Sequence, residues 1–222
     1  MGTELIKKIP LFSELSSKEV ERLQNSLEIR EYPDGSIVVY KGDVGHVLYL
    51  ILEGEVKVVL TSQEGKEIIL NTLQAGDYFG EMSVLDHMPR SATIITMEPC
   101  RFMVITREVL IDQIRQHPKL ALKLLSEMSR RLREANEQIN SLAHLDVRGR
   151  VAQTIIKLSK KANTRTEEGL YVIARPVEKD IADMSGTSRE TVSRILGEFS
   201  KNGIISLTKD EIIIHEALEI DE

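Results

Sequence analysis

Between Glu28 and about Thr106 the chain is cut into short β-rich runs: SIVVY, HVLYLILEG, EVKVVL, EIILNTL, SATIITM and CRFMVIT. Turn signals separate them, with PDG at 33–35, KGD at 41–43, EG at 53–54, QEG at 63–65, AGD at 75–77 and EP at 98–99. Many short strands at this spacing fold as an antiparallel sandwich or barrel and leave no room for βαβ units. Gly80 to Leu85 is the one helical interruption.

Helical patterns flank this segment. ELIKKIPLF and SSKEVERLQNSL precede it, the second capped by Ser16 or Ser17 with Glu19 in its first turn. A long helical tract follows, broken at His117-Pro118 and resuming to about Leu145. Within it Ala121, Leu125, Met128, Leu132, Ala135, Ile139 and Leu142 recur at alternating steps of four and three. That is a heptad stripe, with Glu, Arg, Gln and Lys on the other faces. Such a helix either lies on its own domain or meets a second helix. The narrow stripe suits a parallel homodimer seam.

Beyond HLDVRGR, Val147 to Lys161 reads as a helix, EEGLYVIARPV as a turn and strand, and Glu178–Met184 and Ser188–Lys201 as two short helices joined by SGT. GIISLT and EIIIHE flank Lys209-Asp210, a two-residue hairpin turn. The fold class is therefore α+β: an N-terminal antiparallel β domain over 1–118, a dimerisation helix over 119–145 and a C-terminal winged helix-turn-helix over 146–222.

Composition narrows the chemistry. No apolar run approaches a membrane span, and the most hydrophobic stretch, Val47 to Leu52, is strand-sized. MGTELIKKIPLF lacks the apolar core of a secretory signal, and Ile6 stands where a myristoylation signal wants Ser or Thr, so a cytoplasmic protein without a membrane partner is expected. Cys100 is the single cysteine, which rules out an internal disulfide and any multi-cysteine zinc or iron–sulfur site. His46, His87, His117, His144 and His215 are scattered without partners at ligand spacing, so neither metal nor haem is expected. No Ser-His-acid or paired-carboxylate arrangement stands out, and the chain does not read as an enzyme. The net charge of −6 is uneven. Residues 146–209 hold 12 basic against 8 acidic side chains, while residues 1–145 hold 17 against 21. A locally basic segment permits phosphate contact inside an acidic chain.

EKDIADMSGTSRETVSRILGEFSKNGII has the parts of a DNA-reading helix pair. Ile181, Ala182 and Met184 face inward on the first helix, and Val192, Ile195, Leu196 and Phe199 on the second. Thr187 is placed to cap the second helix, with Glu190 completing a capping box. This leaves Arg189, Glu190, Ser193, Arg194 and Lys201 on or near the exposed side. Arginine forks suit guanine O6 and N7, and a carboxylate suits the cytosine amino group. The bland alternative is that Glu190 only caps and Arg194 only decorates the surface.

SRETVSRIL, LDVRGRVAQT and GEMSVLDHMPRSA together resemble the bacterial family of the cyclic-AMP receptor protein and the fumarate-nitrate reductase regulator. The resemblance covers nearly the whole chain in order: a β-roll of cyclic-nucleotide-binding type, a dimer helix and a winged helix-turn-helix. It implies a homodimeric transcription regulator working with RNA polymerase on a palindromic double-stranded operator, with TGTGA-like half-sites. It places Lys179, Thr187, Ser188, Arg189, Glu190, Ser193, Arg194 and Lys201 at the DNA. Glu178 departs from the pattern, standing where the cyclic-AMP receptor protein has a basic residue near the phosphates; lower, less salt-sensitive affinity is the consequence, with Lys179 next door to compensate.

In this family the stretch from Gly80 to Ala92 is a phosphate-binding cassette, and its chemistry stands on its own. A short helix starting at Gly80 offers unbonded N–H groups to an anion. Arg90 presents two parallel donors to a phosphate and Ser91 adds a hydroxyl. Glu81 suits a ribose 2′-OH, while the amides around Met82 and Ala92 join Arg90 and Ser91 on the cyclic phosphate. The alternative is a Glu81–Arg90 pair bracing a loop that binds nothing. The base should meet the dimer helix at Ala135-Asn136, where the cyclic-AMP receptor protein has a Thr-Ser pair. Ala135 cannot donate a hydrogen bond, whereas Asn136 has a donor and an acceptor for adenine or guanine. Cyclic AMP is the first candidate effector, with cyclic GMP or cyclic di-GMP behind it. Two rivals stay open: a ligand-independent DNA-binding protein with a vestigial pocket, and a nucleotide-binding regulatory subunit acting on a protein partner.

Overall fold

The computed structural model describes residue 12 and residues 28–65, 67–162, 164–166, 170–174 and 178–215. The helical patterns expected before residue 28 lie outside the described residues except for Phe12, which is buried in the core. The chain divides into two compact units, residues 1–134 and 135–222.

The first unit holds β1 (Glu28–Tyr32), β2 (Ile37–Val39), β3 (Val47–Glu53), β4 (Glu55–Thr61), β5 (Glu67–Gln74), β6 (Tyr78–Phe79), β7 (Thr93–Thr96) and β8 (Cys100–Thr106). They form two four-stranded antiparallel sheets, ordered β1-β8-β3-β6 and β2-β7-β4-β5. All six β-rich runs of the sequence became strands. β1 and β6 were not among those runs, because EIREY is charged on an edge and Tyr78-Phe79 is only a dipeptide.

The near-continuous burial of β3 and β8 has a geometric cause. Successive side chains on a strand point to opposite faces. Tyr49, Ile51, Phe102 and Val104 fill the core they share with Val56, Leu73 and Ile94 of the other sheet. Leu48, Leu50, Leu52, Met103 and Ile105 point the other way, onto Leu110, Leu120 and Leu124 of the helices. The sheet is covered on both faces, so its central strands lose the polar alternation of a half-solvated sheet. Tyr49 stacks on Phe79 with ring centroids 4.9 Å apart, and Phe102 meets both rings edge-on.

Among the described residues, three α-helices begin in this unit. α1 (Glu81–Asp86) fills the gap between β6 and β7. α2 (Arg107–Gln116) is capped by the Thr106 hydroxyl, which accepts from the Val109 amide. Pro118, which cannot donate within a helix, separates it from α3 (Lys119–His144).

The second unit takes the end of α3, then α4 (Val147–Ala162), β9 (Thr164–Arg165), β10 (Tyr171–Ala174), α5 (Glu178–Ser185), α6 (Arg189–Lys201), β11 (Ile205–Leu207) and β12 (Glu211–Ile214). Asp146 starts α4, its carboxylate accepting from the Gly149 amide at 2.7 Å. An antiparallel sheet ordered β11-β12-β10-β9 backs the helices. Val151 and Ile155 of α4, Ile181 of α5, and Val192, Ile195 and Phe199 of α6 share its core with Ile173, Ile205 and Ile212. Leu207 pairs with Ile212, and Thr208 N–H donates to Glu211 O at 3.0 Å, so Lys209-Asp210 is the hairpin turn. This is the winged helix-turn-helix that the sequence led us to expect.

Candidate functional site

Gly80 lies at the end of β6 with φ +84° and serves as N-cap of α1, which begins at Glu81 and not at Gly80 itself. A side chain there would be strained, and its Cβ would overlap Arg90 Nη1. Gly45 is equally committed, since a Cβ on it would overlap Arg90 Nε and Cζ. Arg90 is therefore seated between two glycines, 6% exposed.

Three hydrogen bonds lock its guanidinium. Nη1 donates to Gly80 O at 2.9 Å and Ser83 Oγ at 2.8 Å, and Nη2 donates to Val47 O at 2.7 Å. These use both Nη1 hydrogens and one on Nη2. The Nε–H and one Nη2–H are left with no acceptor among the described residues. Burial pulls the Arg90 pKa below its ordinary value, and the charges of Tyr49, Glu81 and Asp43 only partly restore it. A buried cation with two donors to spare can receive an oxyanion.

Glu81 is 4% exposed, but its partner is not Arg90. Its Oε1 accepts from Arg131 Nη1 at 3.2 Å, so the cation that pairs with Glu81 is Arg131. Arg131 reaches over from α3. It also donates to Tyr78 O at 2.6 Å and Glu127 Oε1 at 2.9 Å, and stacks over the Tyr78 ring. Burial lowers the Arg131 pKa, yet Glu81 and Glu127 outweigh it and the net shift is upward. Ser91 donates to Met82 Sδ at 3.6 Å, Met82 is exposed, and Ala92 is buried. Gly80, Glu81, Met82, Arg90, Ser91 and Ala92 are thus brought together. Ala135 and Asn136 are exposed on α3 and lie in the second unit. Sequence reading missed Gly45, Ser83 and Arg131. The last sat within the charged face of a heptad helix, where nothing singled it out.

In the second unit, Gly186 (φ +62°) turns the chain between α5 and α6. The cap of α6 is Ser188, not Thr187: its Oγ accepts from the Thr191 amide at 3.2 Å. The expected Thr187–Glu190 capping box is absent because the helix starts one residue later than that box requires; the Thr187 amide instead closes the turn onto Ala182 O at 3.0 Å. Ser188, Arg189, Glu190, Ser193, Arg194 and Lys201 are all exposed, as is Lys179 on α5, and Thr187 is half-buried. The Glu190 carboxyl is held below its ordinary range by its own backbone amide and the Ser188 hydroxyl. Arg189 Nε donates to Glu178 at 3.4 Å and Arg194 pairs with Glu198 at 2.5 Å. Among the described residues no group of three His, Cys, Asp or Glu is placed to hold a metal, and no helix is long and apolar enough to cross a membrane.

The antiparallel β domain with its buried guanidinium and the winged helix-turn-helix on one chain are the parts of a transcription regulator. Comparison with known proteins agrees. The cyclic nucleotide-binding domain family matches residues 29–117, and the Crp-like helix-turn-helix domain family matches residues 149–219. The cyclic AMP receptor protein of Thermus thermophilus is 35% identical over 217 residues, covering 98% of this chain and 97% of its own. The CRP-like cAMP-activated global transcriptional regulator of Mycobacterium tuberculosis is 30% identical over 214 residues, 96% of each chain. Among solved structures, the c-di-GMP responsive regulator CLP of Xanthomonas campestris superposes with TM-score 0.78 at 22% identity, over 90% of this chain and 100% of that one. The Thermus thermophilus catabolite activator protein gives 0.55 at 34% identity, over 94% of each. The chain belongs to the cyclic-AMP receptor protein and fumarate-nitrate reductase regulator family of transcription regulators.

Proposed function

We propose that this regulator is a homodimer controlled by cyclic AMP and that it binds an inverted repeat with TGTGA-like half-sites. The observation that carries the reading is the buried Arg90 guanidinium, locked by Gly80, Ser83 and Val47 with two N–H donors left over. In the proposal those donors and Ser91 hold the cyclic phosphate beside Met82 and Ala92, and Glu81 accepts from the ribose 2′-OH. A 3′,5′-cyclic nucleotide presents both groups on one rigid ring. Asn136 supplies a donor and an acceptor to the purine, and Ala135 supplies neither. The names of the Thermus and Mycobacterium relatives favour cyclic AMP; the c-di-GMP responsive neighbour shares the fold at too low an identity to shift the choice.

Dimerisation is supported by α3, where Leu125, Leu132, Ile139 and Leu142 of the heptad stripe stand exposed on a subunit taken alone. Their burial against a second copy would remove the apolar stripe from water. In the proposed division of labour, residues 1–118 sense the effector, 119–145 dimerise and 146–222 bind DNA. Effector at Glu81 acts on Arg131, which belongs to α3, and so favours one arrangement of the two DNA-binding heads. RNA polymerase is the partner proposed for the DNA-bound form.

Calorimetric titration with cyclic AMP, cyclic GMP and cyclic di-GMP, followed by a DNA mobility shift with and without the tightest binder, tests this. Cyclic AMP should bind most tightly and change DNA affinity. Tighter binding of another nucleotide would reassign the effector. Equal DNA affinity with and without every nucleotide would leave a ligand-independent regulator.

A further inference from the structure

The reading helix α6 opens on a cation. Arg189 is its first residue, directly after the Ser188 cap, and the positive end of a helix dipole disfavours an arginine there. Glu178, the first residue of α5, supplies the countercharge across the turn. The two differ in their surroundings: the Glu178 side chain is 20% exposed, whereas that of Arg189 is 69% exposed. A mostly buried carboxylate meets the base of a solvent-exposed guanidinium.

Which nitrogen is held matters. Glu178 Oε2 accepts from Nε of Arg189 at 3.4 Å. An arginine gripped at Nε keeps both Nη groups at its far end, and those two donors form the fork that matches guanine O6 and N7. Arg194 is held differently, through Nη1 by Glu198 on its own helix, so its end fork must release a partner before it reads a base.

We propose that Glu178 is a positioning residue for sequence discrimination: it orients Arg189 through Nε so that the guanidinium meets DNA end-on. The proposal rests on the DNA-binding reading above and deepens it. It gives the carboxylate opposite effects on two quantities. As a negative charge near phosphates it weakens binding to every duplex. As an orienting group it raises the preference for the chosen sequence over others, because less side-chain freedom is lost when Arg189 meets its guanine.

The test uses the full chain, with Glu178→Ala, Arg189→Ala and the double variant. Alanine is the best helix former, so the first residue of α5 tolerates it. In 15N-edited spectra without DNA, Glu178→Ala should move the Arg189 Nε resonance and leave that of Arg194 in place. Fluorescence anisotropy then compares a duplex selected by the wild-type chain with an unrelated duplex. Glu178→Ala should bind the unrelated duplex more tightly, with a steeper salt dependence. It should lower the ratio of specific to unrelated affinity by between about 1.5- and 5-fold, the range expected of one exposed ion pair. With Arg189 already alanine, that drop in ratio should vanish. A ratio unchanged by Glu178→Ala, or an equal drop in both backgrounds, overturns the proposal. An unmoved Arg189 resonance refutes the ion pair whatever the DNA does, while a wild-type chain that selects no duplex defeats the DNA reading itself.

Discussion

Arg90 owes its role to what surrounds it as much as to its charge. A lysine at that position would be a point charge with three donors in all and none left once three bonds are made, whereas the guanidinium retains two. Replacing Arg90 with leucine should abolish effector binding while the subunit still folds, because the cores of the first unit are built from other side chains. The loss of one charge-assisted bond is worth about 1.5 to 3 kcal/mol, so calorimetry should report at least a tenfold weaker affinity, as about 1.4 kcal/mol is tenfold. Gly45→Ala is the subtler test. Its Cβ would displace the end of the Arg90 side chain and not any backbone, so nucleotide affinity should fall with little change in melting temperature. An affinity within threefold of wild type would show that Arg90 binds from another position. Glu81→Ala should weaken binding less, and Arg131 stays anchored by Glu127 and Tyr78 O in that variant.

Two elements carry predictions of their own. On α6, the cap assignment makes Ser188→Ala the costly change, at about 1 kcal/mol of stability, with Thr187→Ala clearly milder. Thermal denaturation decides between them, and the reverse order would restore Thr187 as the cap. On α3 one apolar face is buried and another stands exposed. Leu120 and Leu124 belong to the core of the first unit, whereas Leu132 is 63% exposed. Leu132→Glu should therefore leave the subunit folded yet shift sedimentation from dimer to monomer. An unchanged dimer mass would put the seam elsewhere. The heptad stripe was legible in the sequence because it is a regular spacing. The start of α6 was misread by one residue because Thr-Ser offers two adjacent hydroxyls, and only the path of the turn chooses between them.

For the whole molecule, a two-fold dimer should select an inverted repeat with half-sites about one helical turn, roughly 10 bp, apart. On the proposed reading, Arg189 and Arg194 take guanines and Glu190 the cytosine opposite the second of them. Arg189→Ala should cost about 1 to 3 kcal/mol per half-site and relax the preference at its base. Selection from random duplexes checks this. Enrichment of a non-palindromic sequence would refute the assignments.

The sequence by itself determined which segments are strands and helices, and it displayed the side chains that carry chemistry. Strand length, turn residues and heptad spacing are local properties, so six of the eight described strands of the first unit and every described helix after residue 80 could be read directly. The glycine–glutamate and arginine–serine ends of the cassette were equally visible as chemistry. Tertiary structure alone decided the partners. It set Glu81 against Arg131 and not Arg90, placed Gly45 and Ser83 around the guanidinium, and buried both faces of β3 and β8. Those outcomes depend on groups far apart in the chain meeting within hydrogen-bonding or van der Waals distance, and no local pattern encodes which cation will reach a given carboxylate first.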